Sequence, residues 1–220
     1  ADLTADQIRE VNAMCHIENE LIDEALGRVL NHIDEKGWGD DLDIIYTADH
    51  GEFQGDFGML FKGPYHVDAL MRLPLIWRPA PSAGIAPAII EQPVGHVDLA
   101  RTIAAATGVT PDPRMQGAPL PTTPDNDRER VITEWDGGYD GESVTLRSIC
   151  RDGYVCTVCE PGTAHDGNEG ELYDLTADPR QFVNLWDDPA RQSLKSDLIA
   201  DLYGNLPSAR TPPLKQIALV

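Results

Sequence analysis

Tyr46-Thr47-Ala48-Asp49-His50-Gly51-Glu52 closes an apolar run that begins at Leu42, and Lys62 follows thirteen residues after Asp49. The run reads as a buried parallel strand, because it lacks the alternation of a half-exposed one. It ends abruptly in a carboxylate, an imidazole and a glycine. Open α/β sheets place their ligand sites at the carboxyl ends of such strands. Asp49 offers a hard anionic oxygen there and His50 a neutral nitrogen. That donor pair suits manganese, zinc or iron, or calcium if the imidazole stands aside. The residues alone also allow a plainer reading, in which Asp49 caps the next turn and His50 is a hydrogen-bonded core histidine.

Before the strand, Thr4-Ala5-Asp6-Gln7 has the form of a capping box. Apolar residues then recur at helical spacing from Ile8 through Val11, Cys15, Leu21, Ile22, Ala25, Leu26 and Val29 to Ile33. The period predicts one long helix, or two with a break near His16, packed on the sheet and ending near Lys36-Gly37. After the strand, a glycine-rich loop runs from Gly51 to Pro64. Leu73 to Trp77 reads as a second strand, and Val97 to Ala106 as a helix stopped by Gly108. Helix, strand, loop, strand and helix in that order indicate a layered α/β core over residues 1–120. Pro119 to Pro124 reads as a polar, proline-rich linker. Strands at Val131–Trp135, Val144–Cys150, Tyr154–Cys159 and Glu171–Leu175, then a helix over Pro189–Tyr203, make residues 121–205 a small α+β subdomain with an antiparallel sheet. Residues 206–220 read as an extended tail.

The 220 residues, 41% of them hydrophobic, suffice for one sizeable core or a core plus a small second domain. The longest apolar stretches are far too short to span a bilayer. The formal charge of -20 argues against a nucleic-acid surface, which needs clustered Lys and Arg. An anionic substrate would need a local cation in this field, and Lys62 and a metal could supply it. The chain opens at Ala1 without a signal peptide and is expected to be cut from something longer. The compartment is left open, with the cytoplasm slightly favoured, and so is the oligomeric state.

Cys150, Cys156, Cys159 and His165 invite a zinc reading, and hairpin geometry argues against it. Asp152-Gly153 is a strong two-residue turn, so Arg151 should face Tyr154 and Cys150 should face Val155. Alternation then puts Cys156 on one face of the sheet and Cys150 and Cys159 on the other. The ligands would not converge on one point.

In its motifs the chain resembles the sulfatase family of the alkaline phosphatase superfamily. The matching residues are Thr47-Ala48-Asp49-His50-Gly51-Glu52, Gly55-Asp56, Lys62-Gly63-Pro64-Tyr65 and Arg72-Leu73-Pro74-Leu75-Ile76. Ordered matches continue through His96-Val97-Asp98-Leu99-Ala100-Arg101-Thr102-Ile103 to Glu171-Leu172-Tyr173-Asp174-Leu175, Asp178-Pro179 and Asn184-Leu185. The resemblance implies the C-terminal part of an alkaline-phosphatase-like layered α/β core. It implies Asp49 and His50 as ligands of one divalent metal (Mn, Zn or Ca) and Lys62 as a contact to a sulfuryl or phosphoryl oxygen. For His66 two readings stand, a proton donor on the leaving-group side or a hydrogen-bonding group within the loop. Glu52 and Asp56 are expected to brace the loop, and Arg72 to support the fold.

The implied activity is hydrolysis of small-molecule sulfate esters. Phosphonate monoesters or phosphodiesters are the alternative substrates, and a non-catalytic module is the alternative role. The family's nucleophile is the Cys or Ser of a Cys-or-Ser-x-Pro-x-Arg motif, converted to formylglycine, and no Cys or Ser here is followed by that pattern. The family's early aspartate pair and mid-chain catalytic histidine also have no counterpart. The chain is therefore expected to hold half of a site, to require the missing N-terminal half of the same fold, and to be inactive alone.

Overall fold

The computed structural model describes residues 3–207, so the expected tail lies outside the described residues except for its first two positions. Contacts group the chain into two compact units. One comprises Ala1–Glu91, Pro121–Asn126 and Gly138–Gly141, the other Gln92–Leu120, Asp127–Gly137 and Glu142–Val220.

The first unit opens with α1, Ala5–Glu35, a single helix that runs through His16 without a break. Its start is the expected capping box. The Gln7 amide donates to Thr4 Oγ1 at 3.3 Å, and the Thr4 amide donates to Gln7 Oε1 at 2.9 Å. The expected packing of its apolar stripe on the sheet is not observed: no residue of α1 is buried, and Leu21 is 61% exposed. The period of the sequence marks which stripe is apolar; Ile8 meets the loop at Gly55 and several stripe residues are half-buried, but none is fully covered. Strand β1, Ile44–Thr47, pairs antiparallel with β2, Leu75–Arg78, in a two-stranded ladder from Ile44 opposite Arg78 to Thr47 opposite Leu75. The expected buried parallel strand is therefore corrected to a partly exposed antiparallel one, because full burial requires neighbours on both edges and β1 has a single described neighbour. A one-turn helix, α2 at Asp68–Met71, lies between the strands.

In the second unit α3, Leu99–Thr107, ends at Gly108 in the left-handed conformation, as the sequence predicts. Asp98, just before it, is a buried hub. Its carboxylate accepts from the Gly95 amide at 3.0 Å and the Ala118 amide at 2.9 Å, and pairs with Arg128 at 2.9 Å. Arg128 also donates to the carbonyls of Ala118 and Pro119. These bonds explain why residues 92–120 group with the sheet that follows them. That sheet has the order β3 (Arg130–Tyr139), β4 (Glu142–Arg151), β5 (Tyr154–Cys159) and β6 (Gly170–Asp174), with β4–β5 and β5–β6 paired antiparallel. Asp152 and Gly153 both take positive φ, the requirement of a tight hairpin turn. Arg151 faces Tyr154 and Cys150 faces Val155, the register expected from that turn.

Helix α4, Gln192–Asn205, lays Leu198 and Leu202 on Ile149, Cys156 and Leu172. Arg151 clamps it by reaching Asp197 and, at 2.5 Å, Asp201, while Arg130 reaches Asp201 at 2.9 Å. Cys159 packs on the opposite face of the sheet with Val144, Leu146 and Trp135. The cysteines thus divide between the faces as side-chain alternation demands. No described helix is long and apolar enough to cross a membrane.

Burial holds the Cys156 thiol up to about 12 and the Cys159 thiol up to about 11, so neither is a thiolate near neutrality. Alkylation at pH 8 should therefore modify Cys156 and Cys159 only on unfolding, at rates far below a free thiol; fast native labelling read by mass spectrometry would contradict that packing. Removing the hub carboxylate with Asp98→Ala takes away the ion-pair partner of Arg128 and should cost about 3–5 kcal/mol in urea denaturation, as for other broken buried ion pairs.

Candidate functional site

The chain leaves β1 at Thr47, and Asp49, His50 and Gly51 form the turn beyond it. The Asp49 carboxylate accepts from the His50 amide at 3.0 Å, which orients it. His50 Nδ1 lies 2.8 Å from the Gly51 carbonyl oxygen. A carbonyl can only accept, so Nδ1 carries the proton in the neutral ring and Nε2 keeps its lone pair. Nε2 sits 3.5 Å from the second Asp49 oxygen. A nitrogen and an oxygen at that separation can share one cation through bonds of about 2.1 Å. The donor set therefore fits a divalent ion, with two ligands. Among the described residues no group of three or more His, Cys, Asp or Glu side chains could hold a metal.

Asp49 is held below the usual carboxylate range, first by the His50 amide, then by its own amide and the His50 charge, and also by the charge of Lys62. The side chain is 87% exposed. It is an anion at any neutral pH and is open to a ligand.

Backbone contacts close the loop that follows. The Gly51 amide donates to the Leu70 carbonyl at 2.8 Å, and the Phe53 amide donates to the Phe61 carbonyl at 3.0 Å. A Cβ on Gly51 would lie deep inside contact distance of the Ala69 carbonyl. Buried Phe53 forms the loop's interior and meets Tyr65 edge-on with 5.5 Å between ring centroids. Gln54, Phe57 and Phe61 all adopt left-handed backbone, a feature the sequence did not announce.

The structure sets Asp49 beside His50, and the Lys62 charge adds a small lowering to the Asp49 carboxylate. His66 is buried, 4% exposed, and engaged by the fold. Arg72 is exposed and lies 3.6 Å from Asp68, one helical turn earlier, in keeping with a role in local support. Glu52 is half-buried and Asp56 exposed.

A "Sulfatase" family model matches residues 18–109, the span that contains this site. The multifunctional alkaline phosphatase superfamily protein PehA of Trinickia caryophylli is 32% identical over 209 residues, covering 90% of this chain and 40% of that protein. The N-acetylglucosamine-6-O-sulfatase of Bacteroides thetaiotaomicron is 30% identical over 172 residues, covering 75% of this chain and 30% of that one. The solved phosphonate monoester hydrolase of Agrobacterium radiobacter superposes with a TM-score of 0.80 at 23% identity, over 92% of this chain and 42% of its own. The chain belongs to the sulfatase family of the alkaline phosphatase superfamily. It spans 40% or less of the length of these two curated relatives.

Gly51→Ala should force the Ala69–Leu70 backbone away and open the loop. Amide exchange at Gly51 and Phe53 in the folded protein should then accelerate by at least tenfold, an estimate from the loss of protected backbone bonds. Unchanged protection would refute the closure.

Proposed function

We propose that this chain is part of a hydrolase of sulfate esters and supplies one side of its active site. The observation that carries the reading is the facing pair Asp49 Oδ2 and His50 Nε2 just beyond a strand end, with the Lys62 charge acting on Asp49. A divalent ion bound between Asp49 and His50 would supply Lewis-acid charge toward the ester's oxygens. Asp49 stays anionic through its amide bonds and so keeps its ligand oxygen available. The bond to the Gly51 carbonyl keeps the His50 lone pair aimed outward. Lys62 donates to a non-bridging oxygen and offsets the negative charge that grows there as the ester bond breaks. His66 supports the loop from within.

The attacking oxygen comes from outside these residues, as a formylglycine hydrate in the sulfatase reading. The remaining ligands come from the N-terminal half of the same fold. Two observations support that partner. The chain matches 30–40% of its curated relatives' length, and large apolar side chains stand exposed on α1 (Leu21, Ile22, Val29) and β2 (Ile76). Phosphonate monoesters and phosphodiesters are the second reading, favoured by His50, since an imidazole donor suits a transition metal better than calcium.

The test is kcat/KM of the intact protein, expressed from its complete reading frame, on an aryl sulfate and on a phenyl phosphonate monoester. Faster sulfate turnover is expected, with Lys62→Ala lowering kcat by about 10²–10³-fold, as loss of one transition-state donor does. Preference for the phosphonate would select the second reading, and turnover of neither would leave a non-catalytic module.

A further inference from the structure

We propose that Tyr139 is a positioning residue for Lys62, holding its backbone from the C-terminal side through Gly63 and Tyr65. The inference rests on the reading above, in which Lys62 meets a non-bridging oxygen of the ester. Tyr139 is remote from this loop in sequence, and a tight hairpin delivers it. Strand β3 ends at Tyr139 and β4 begins at Glu142, so Asp140 and Gly141 make the whole turn. Both have positive φ, 52° and 85°, as a two-residue hairpin turn requires. The tip, Gly138–Gly141, groups with the first compact unit, which also holds the loop.

The Tyr139 ring meets Tyr65 edge-on with 6.4 Å between centroids, and Tyr65 meets buried Phe53 in the same way at 5.5 Å. Gly63 lies against both tyrosines. A Cβ there would stand 2.9 Å from Tyr65 Cε2 and 3.2 Å from Tyr139 Oη, closer than ordinary contact. The Tyr65 amide donates back to the Gly63 carbonyl at 2.8 Å, and buried Pro64 lies between them. On the other side of Lys62, the Phe61 carbonyl accepts from the Phe53 amide at 3.0 Å. Lys62 is itself exposed, so its place is set by two held neighbours rather than by burial. A long, flexible stem finds one oxygen reproducibly only from a fixed backbone, and displacements of about 1 Å can cost on the order of 10²-fold in rate.

The experiment measures kcat on the aryl sulfate and the phenyl phosphonate monoester for the intact wild type, Tyr139→Ala, Tyr139→Phe, Lys62→Ala and the Lys62→Ala/Tyr139→Ala double variant. Tyr139 is 42% exposed, so its truncation should leave the fold intact. Tyr139→Ala should lower kcat by about tenfold, and Tyr139→Phe, which keeps the ring on Tyr65, by far less. In the Lys62→Ala background Tyr139→Ala should cost nothing further, because residues that act through one group are not additive. Amide exchange at Tyr65, read without any substrate, should quicken in Tyr139→Ala and hold in Tyr139→Phe. Wild-type kcat or unchanged Tyr65 exchange in Tyr139→Ala would overturn the role of Tyr139 while the hydrolase reading stands. So would an equal loss in Tyr139→Phe, which assigns the effect to the hydroxyl, or a loss that persists without Lys62. A wild-type protein that turns over neither ester would overturn both.

Discussion

Gly51 approaches the backbone of Ala69 and Leu70 so closely that no side chain fits between them, and the site depends on that contact. Its amide bonds to the Leu70 carbonyl, while its own carbonyl takes the proton of His50 Nδ1. One residue thus closes the loop and sets the imidazole tautomer. With the loop closed, the Phe53–Phe61 bond forms a second rung. Phe53 fills the interior, and the charge of Lys62 reaches the Asp49 carboxylate. Backbone bonds make this arrangement, so it depends little on the identity of the exposed side chains.

A chain of formal charge -20 has few cations to place, and the structure concentrates them where they bind several acceptors. Arg128 locks Asp98 and two carbonyls together, and Arg151 and Arg130 converge on Asp201. These arginines are largely shielded, which raises the value of each bond above that of a surface pair. Lys62, by contrast, stands exposed in the loop between β1 and α2. In a field of this sign, an exposed cation whose charge acts on an exposed carboxylate is a feature suited to attracting an anionic group.

Much of this was legible in the residues. Asp152-Gly153 dictated a turn, the turn dictated the register, and the register separated Cys156 from Cys159. Thr4 and Gln7 announced the helix start. Motif order singled out Asp49, His50 and Lys62, and the structure sets Asp49 and His50 side by side. Burial was less so. The periodicity of α1 shows that one stripe is apolar, but not which surface covers it, and the apolar run of β1 likewise implies neighbours that the described residues do not provide. The Asp98–Arg128 pair joins residues thirty apart through carbonyl geometry that no local pattern encodes. The left-handed backbone at Phe61 was equally hidden, because Phe is not a residue that signals positive φ.

The central claim is that Asp49 and His50 hold one divalent ion. Calorimetric titration of the intact protein with manganese tests it most directly, comparing wild type, Asp49→Ala and the exposed control Asp41→Ala, which lies outside the loop. Even residues that merely orient a ligand change metal affinity by about 10–100-fold, so Asp49→Ala should weaken binding by about a hundredfold or more, with Asp41→Ala near wild type. Equal manganese affinity in all three proteins would contradict the account.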